Sequence, residues 1–257
     1  MSPIDNRLLS RRKALGLLSF AGAAFGMGCA SPTTPSTTLG SSTDTSSASV
    51  SGSVSTSGTT ATAAGCVTSP EETAGPYPDR LGMINNAAFF RQDITEGKSG
   101  LPVTLAMTVV NTKSGCAPVA NAQVEIWQCD ATGNYSEYAQ PSFNGSGQTF
   151  LRGLQTTDAN GRVTFKTIYP GWYAGRATHI HVQVFMNGLT LKTTQIAFPE
   201  DVSAAVYRTG VYASHGQNST TNARDNVFAD GVTDEMASVA GDTVNGYTAA
   251  LQIGISV

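Results

Sequence analysis

Charged residues and histidines are scarce in this sequence of 257 residues. Asp, Glu, Lys and Arg make up 13% of it, and the formal net charge is −3. Beyond the first 13 residues the basic side chains form no cluster, which argues against nucleic acid as a partner because that ligand requires a basic surface. The chain has three histidines, and His179 and His181 are separated by a single residue. The search for function therefore starts at this segment.

The apolar run near the N-terminus, residues 15–27, is shorter than the about 20 residues of an ordinary membrane span. It follows Arg11 and Arg12, a pair typical of a twin-arginine export signal. The run ends in Gly-Met-Gly-Cys at residues 26–29, which resembles a bacterial lipobox, although leucine is usual where Gly26 stands. We expect residues 1–29 to direct export, and lipid on Cys29 to be the chain's membrane attachment. The alternative is a plain cleavable signal with an incidental cysteine.

Residues 30–65 contain a single charged residue, Asp44, and consist mainly of Ser, Thr, Gly, Ala and Pro. Such a composition cannot bury a core, so a disordered linker is expected. A flexible coil of this length spans about 30–35 Å. Residues 66–257 are left as one domain of ordinary size, held at the periplasmic or outer cell surface or, without the lipid, secreted.

Cysteine is also rare, with three residues in the expected domain: Cys66, Cys116 and Cys129. An oxidising compartment permits one disulfide among them and leaves one free thiol. Sequence alone does not choose the pair. We favour Cys66–Cys116 because both lie in loop-like segments, whereas Cys129 ends an apolar strand.

Long helical periodicity is absent from the expected domain. Strand patterns occur instead, and one short helix is predicted over residues 200–207. The polar residues 215–234 are predicted to form a loop that covers one end of the fold. These features indicate an all-β protein, an antiparallel β-sandwich with long loops. The predicted strands are residues 101–110, 123–129, 162–168, 179–185, 189–198 and 247–257.

The histidines lie in the predicted strand at residues 179–185. Residues two apart in a strand project from one face, so His179 and His181 can bind one metal ion. Tyr173 lies six positions before the first histidine, and a phenolate is a hard ligand that favours ferric iron. A His-x-His pair can also be purely structural, and this pattern alone leaves both readings open.

Four runs of sequence together resemble the intradiol ring-cleavage dioxygenases, the family of protocatechuate and catechol dioxygenases. The likeness is greater to exported single-chain relatives than to the soluble enzymes. The family's enzymes are non-haem ferric proteins that open catechol rings between the hydroxylated carbons. The resemblance covers most of residues 66–200 and implies the β-sandwich described above. The runs are residues 72–77, 124–136, 150–161 and 167–181.

Carried over by position, the resemblance implies one ferric ion per chain. Arg176 and Gln195 take the family's catalytic positions, and we assign Tyr77 and Trp172 to substrate binding. Each of these residues could instead have a purely structural role, as an aromatic side chain in a turn, as the partner of a carboxylate or as a hydrogen-bonding residue in a strand. Trp172 stands where many exported relatives have a cysteine, which would leave Cys129 unpaired, and His215 is expected to be solvated. The implied metal ligands are Tyr135, Tyr173, His179 and His181.

The leading hypothesis is therefore an exported ferric dioxygenase that uses O₂ to cleave a catechol to a muconate-type product. The alternative is a non-catalytic exported lipoprotein that binds metal or aromatic ligands on the same sandwich. The segment from Tyr173 to His179 is shorter than in the soluble enzymes. Substrate choice therefore does not follow from the resemblance.

Overall fold

The computed structural model describes residues 66–257. The twin-arginine pair, Cys29 and the linker lie outside these residues. Within the described part of the chain, no helix is both long and apolar enough to cross a membrane. Its strands are β1 Pro102–Asn111, β2 Ala117–Pro118, β3 Gln123–Trp127, β4 Ala139–Gln140, β5 Phe143–Asn144, β6 Arg152–Thr156, β7 Arg162–Ile168, β8 His179–Met186, β9 Leu189–Ala197, β10 Ser238–Asp242 and β11 Gly246–Ile255. The helices are α1 Glu200–Val206 and the 3-10 turns Met83–Asn85, Ala87–Phe89, Thr112–Ser114, Gly210–Tyr212 and Asn222–Arg224.

Most strands form two sheets. The first has the order β10-β11-β1-β2, with β7 also paired to β1, and the second has the order β6-β3-β8-β9. Strand β1 alternates exposed and buried residues, since successive side chains point to opposite faces. Its buried residues Leu105 and Met107 belong to the same apolar core as Ile126 and Val182 of the second sheet. The predicted β-sandwich is confirmed.

One strand pair departs from the antiparallel prediction. Strands β1 and β11 run parallel, from Val103 opposite Tyr247 to Asn111 opposite Ile255. A parallel pair cannot be closed by a tight turn and needs a long connection. Here the chain builds the whole second sheet before it returns as β11, so the first sheet is mixed.

The six predicted strands and the short helix are all present, with small differences at their ends. Strands β6 and β10 and the two-residue strands were not predicted, because each is too short or too polar to show alternation. The predicted disulfide between Cys66 and Cys116 is confirmed, with Cα atoms 5.5 Å apart. Cys129 is free and buried.

Strand β8 is buried on both faces. Its even-numbered residues, such as Ile180, point into the sandwich core, so the odd-numbered residues project from the outer face. In the paired register His181 lies opposite Trp127 of β3 and Gln195 of β9. These three side chains therefore form a row across the outer face of the second sheet.

Candidate metal centre

The two strand histidines meet on this outer face. The Nε2 atoms of His179 and His181 are 3.2 Å apart. The Nδ1 atom of His179 lies 2.6 Å from the carbonyl oxygen of Ala177. Because a carbonyl oxygen only accepts, Nδ1 carries the proton and Nε2 keeps a free lone pair. That lone pair is directed to the space shared with His181.

Burial keeps both imidazoles neutral. It lowers the pKa of His179 to about 3, and the charge of Arg176 adds to this effect. Burial also lowers the pKa of His181 well below its usual value, with His179 as the next cause. Neutral imidazole is the form that binds metal ions.

His181 is clamped between two neighbours. Its ring stacks on Trp127, with centroids 4.7 Å apart and planes 3° apart. On another side lies Gly75, whose φ of +69° suits glycine, and a Cβ added there would lie 2.9 Å from His181 Cε1. The glycine of the 72–77 run is therefore required by close approach to an imidazole.

Two tyrosines complete the cluster of rings. Tyr173 lies edge-on to His179, with ring centroids 5.6 Å apart, and Tyr135 lies 5.7 Å from Tyr173 and 6.2 Å from His181. The turn before Tyr135 is closed by Asp130, which accepts hydrogen bonds from the backbone amides of Thr132 and Asn134. The four predicted ligands are thus brought together.

The hydroxyl of Tyr135 is buried and, among the described residues, has no hydrogen-bond partner. Buried hydroxyl groups are normally hydrogen-bonded, so this oxygen is an atom that could bind a metal ion. Burial raises the pKa of Tyr135 well above its usual value and that of Tyr173 to about 12. A bound cation would favour the phenolate of each. Two neutral imidazoles and two such phenols fit a ferric ion.

Arg176 lies beside the four rings and is 9% exposed. Its Nη1 atom is 3.5 Å from both Tyr173 Oη and His179 Nε2. Its Nη2 atom donates to Gln195 Oε1 at 2.5 Å. Gln195 also donates from Nε2 to the carbonyl oxygen of Thr73 at 2.8 Å. Both predicted catalytic residues are therefore at the centre, and their roles in the reaction stay predictions.

The two residues assigned to substrate binding are placed differently. Tyr77 stacks on Tyr135 at 4.5 Å and meets Tyr173 edge-on at 5.8 Å, so it borders the centre. Trp172 packs against the main core, and its ring lies 4.3 Å from that of His215. The structure does not join Trp172 to the four-ring cluster by any ring contact among the described residues. Substrate contact by either residue stays a prediction.

His215 differs from the expected solvated residue. Its Nε2 atom lies 2.8 Å from the carbonyl oxygen of Trp172, and its ring packs on the Trp172 indole. The indole in turn donates to the carbonyl oxygen of Gly216 at 3.0 Å. The histidine therefore ties the loop after β9 to the segment that carries Tyr173.

Sequence reasoning missed Asp225. This carboxylate is 2% exposed and accepts from Arg176 Nε at 2.8 Å. It lies in the polar stretch predicted only as a covering loop, where no periodicity distinguishes one carboxylate from another. The available signal was indirect: a nearly buried arginine needs an anionic partner.

A second group of oxygen donors lies close by. Carboxylate oxygens of Glu72, Asp230 and Glu235 are within 4.8 Å of one another. Burial raises the pKa of Glu235 to about 7, and the negative charge of Glu72 adds to this effect. Burial also raises the pKa of Glu72. The three carboxylates repel one another when they are ionised, and this repulsion adds to the effect of burial on both pKa values.

Comparison with known proteins identifies the family of this chain. A family model described as Dioxygenase matches residues 74–230, which include the four predicted ligands, Arg176, Gln195 and Asp225. The chain belongs to the intradiol ring-cleavage dioxygenase family. The resemblance read from the four sequence runs is confirmed.

Three relatives show how far the likeness extends. The protocatechuate 3,4-dioxygenase beta chain of Burkholderia cepacia is 34% identical over 128 residues, covering 42% of this chain and 52% of the relative. Catechol 1,2-dioxygenase 2 of Acinetobacter lwoffii is 34% identical over 104 residues, covering 33% and 36%. An intradiol ring-cleavage dioxygenase structure from Tetranychus urticae matches with a TM-score of 0.67 and 28% identity, covering 74% of this chain and 95% of that chain. The match to the present chain thus spans about half the length, or less, of the two curated relatives.

Proposed function

We propose that this protein is an exported Fe(III) dioxygenase that cleaves a catechol-type ring between its two hydroxylated carbons. Both atoms of O₂ would enter the product, a muconate-type dicarboxylic acid. One observation carries the proposal: two imidazole Nε2 atoms 3.2 Å apart share a buried cluster with two tyrosines, and the Tyr135 hydroxyl has no partner among the described residues. The chain's membership of the intradiol family supports it.

Tyr135, Tyr173, His179 and His181 would hold one ferric ion per chain. Two phenolates offset two of its three positive charges, which a site of neutral ligands could not do. When bound, the iron supplies the Lewis-acid centre at which a catecholate becomes reactive toward O₂. The protein's part is to keep four ligands apart from bulk water and at short distances from one another.

Arg176 would stabilise negative charge on the substrate side of the centre. Its guanidinium stays protonated, so it acts through charge and hydrogen bonds rather than proton transfer. The Nη1 atom is the part of the group that faces Tyr173 and His179. Tyr77 would form an aromatic wall for a flat ring next to Tyr135.

The ligand set and the names of two relatives, catechol 1,2-dioxygenase and protocatechuate 3,4-dioxygenase, support a catechol-type substrate. A purified, iron-loaded chain should consume one molecule of O₂ per catechol, and mass spectrometry should show a product heavier by two oxygen atoms. A panel of catechol, hydroxyquinol and protocatechuate identifies the preferred ring. Stoichiometric iron with catechol binding but no O₂ uptake would establish the non-catalytic binding protein instead.

We also propose that the enzyme is exported by the twin-arginine route and anchored through lipid on Cys29. A cofactor loaded in the cytoplasm is compatible with export of a folded domain. One acyl chain alone would anchor the protein weakly, but the several chains of a bacterial lipoprotein would anchor it firmly. Cys29→Ser should therefore release the protein from membranes or block its maturation. Mass spectrometry of the membrane-extracted protein decides: an unmodified mature chain that begins at or beyond Ala30 would leave plain secretion as the account.

A further inference from the structure

The guanidinium of Arg176 is held at two of its three nitrogens. Its Nε atom donates to both oxygens of Asp225, at 3.0 and 2.8 Å. Its Nη2 atom donates to Gln195 Oε1 at 2.5 Å. The remaining nitrogen, Nη1, lies 3.5 Å from Tyr173 Oη and from His179 Nε2. Two contacts therefore determine where the third nitrogen points.

Asp225 is itself fixed. Its side chain is fully buried in the ion pair, and its oxygens also accept from the backbone amides of Ala177 at 2.7 Å and Val227 at 2.9 Å. Each oxygen thus accepts one bond from the guanidinium and one from the backbone. A carboxylate with this many N–H partners cannot rotate without breaking several of them.

Gln195 completes the support from the opposite side. Its Nε2 atom faces the carbonyl oxygen of Thr73, which only accepts, so the amide oxygen must face Arg176. Neither contact reaches the four rings directly. In this arrangement Gln195 and Asp225 hold Arg176 from two different chain segments.

We propose that Asp225 is a positioning residue for ring cleavage, which orients Arg176 so that Nη1 faces the substrate side of the metal centre. This inference rests on the proposed function. The carboxylate also balances a nearly buried positive charge, which would otherwise be costly to keep in place. Without Asp225 the guanidinium is free to turn toward other partners, and stabilisation of negative charge at the centre is lost.

The fold offers a matched control for this residue. Glu200 Oε1 accepts from the backbone amide of Asn222 at 2.8 Å, so it holds the same loop three residues before Asp225. No contact between Glu200 and Arg176 is seen in the described structure. Glu200→Gln therefore weakens the loop's attachment without touching the guanidinium.

The test compares Asp225→Asn with Glu200→Gln, each made in the full-length chain. We expect Asp225→Asn to keep its iron and visible absorption while kcat for catechol falls at least tenfold and KM changes less, as expected for a contact that matters in the transition state. Glu200→Gln should stay within about twofold of the parent enzyme. In metal-free protein, the Arg176 Nε–H NMR resonance should shift in Asp225→Asn and stay in place in Glu200→Gln.

Two results would overturn the inference: an Asp225→Asn kcat within twofold of the parent, or an equal fall in Glu200→Gln. If Asp225→Asn does not fold, two other tests replace it: the kcat of Asp225→Glu, and the kcat of Asp225→Ala with added formate. If neither the longer carboxylate nor formate restores any kcat relative to Asp225→Ala alone, the proposal is contradicted. If the parent protein carries iron but never cleaves a catechol, the proposed function fails. The NMR shift then still decides whether Asp225 orients Arg176.

Discussion

The two faces of strand β8 are equally buried and yet differ in chemistry. On the core face Ile180 and Val182 are 0% exposed and belong to the apolar cluster between the sheets. On the outer face His179 and His181 are 3% and 0% exposed. Among the described residues, the outer face leaves His181 Nδ1 and Tyr135 Oη without hydrogen-bond partners. Burial alone therefore does not distinguish a structural face from a functional one.

The difference lies in what each face needs. Apolar side chains are satisfied by close packing, and each contributes about 1.5–3 kcal/mol when fully buried. A buried polar atom without a partner costs about 1–3 kcal/mol. The partnerless Tyr135 hydroxyl thus lowers the stability of the metal-free protein, and an ion bound to that oxygen would return the free energy. This contrast leads to four predictions.

The largest effect is expected from His181→Ala. Because it removes one of four protein ligands, iron content and visible absorption should fall to near zero while the circular dichroism spectrum stays that of the parent. Metal analysis and absorption spectroscopy of the purified variant measure this. Full retention of iron would exclude His181 as a ligand.

Arg176→Ala should come next. Iron and colour are expected to remain, whereas turnover of catechol should fall on the order of 10²-fold, the usual loss on removing a charge-stabilising donor. Steady-state O₂ uptake and metal analysis on the same sample separate the two properties. Loss of iron in a folded Arg176→Ala protein would instead make the arginine a support for the ligands.

Much of this arrangement could be predicted from the sequence. The period-two pattern of residues 179–185 predicted the strand and the shared face of the two histidines, because alternation is a local property of the backbone. The family resemblance added Tyr135 and Arg176, and the structure brings both to the same site.

The remaining features depend on contacts between distant segments. The parallel pairing of β1 with β11 joins residues more than 140 positions apart, and no local pattern encodes it. Asp225 is similar: it reaches Arg176 across 49 positions from a polar loop. From its polar composition, that segment was predicted only as a loop over one end of the fold, although it supplies the buried carboxylate that pairs with Arg176.

A smaller effect of opposite sign is expected for Tyr135→Phe. In metal-free protein the substitution removes a buried hydroxyl without a described partner, so the free energy of unfolding should rise by about 1–3 kcal/mol. In iron-loaded protein it removes a phenolate, so the visible band should shift or weaken. Urea unfolding with and without iron tests both halves. An unchanged spectrum with full turnover would show that Tyr135 is not a ligand.

The smallest effect is expected on the core face, from Ile180→Val. Ile180 lies between the two histidines in sequence, but its side chain packs in the apolar core. Loss of one methylene there should lower the free energy of unfolding by about 0.5–1.5 kcal/mol, because the removed contacts leave a small cavity. Iron content, colour and kcat should match the parent, since the backbone of β8 and the ligands are unchanged. Loss of iron from a folded Ile180→Val protein would contradict this prediction. It would mean that packing in the core sets the 3.2 Å distance between the two imidazole Nε2 atoms.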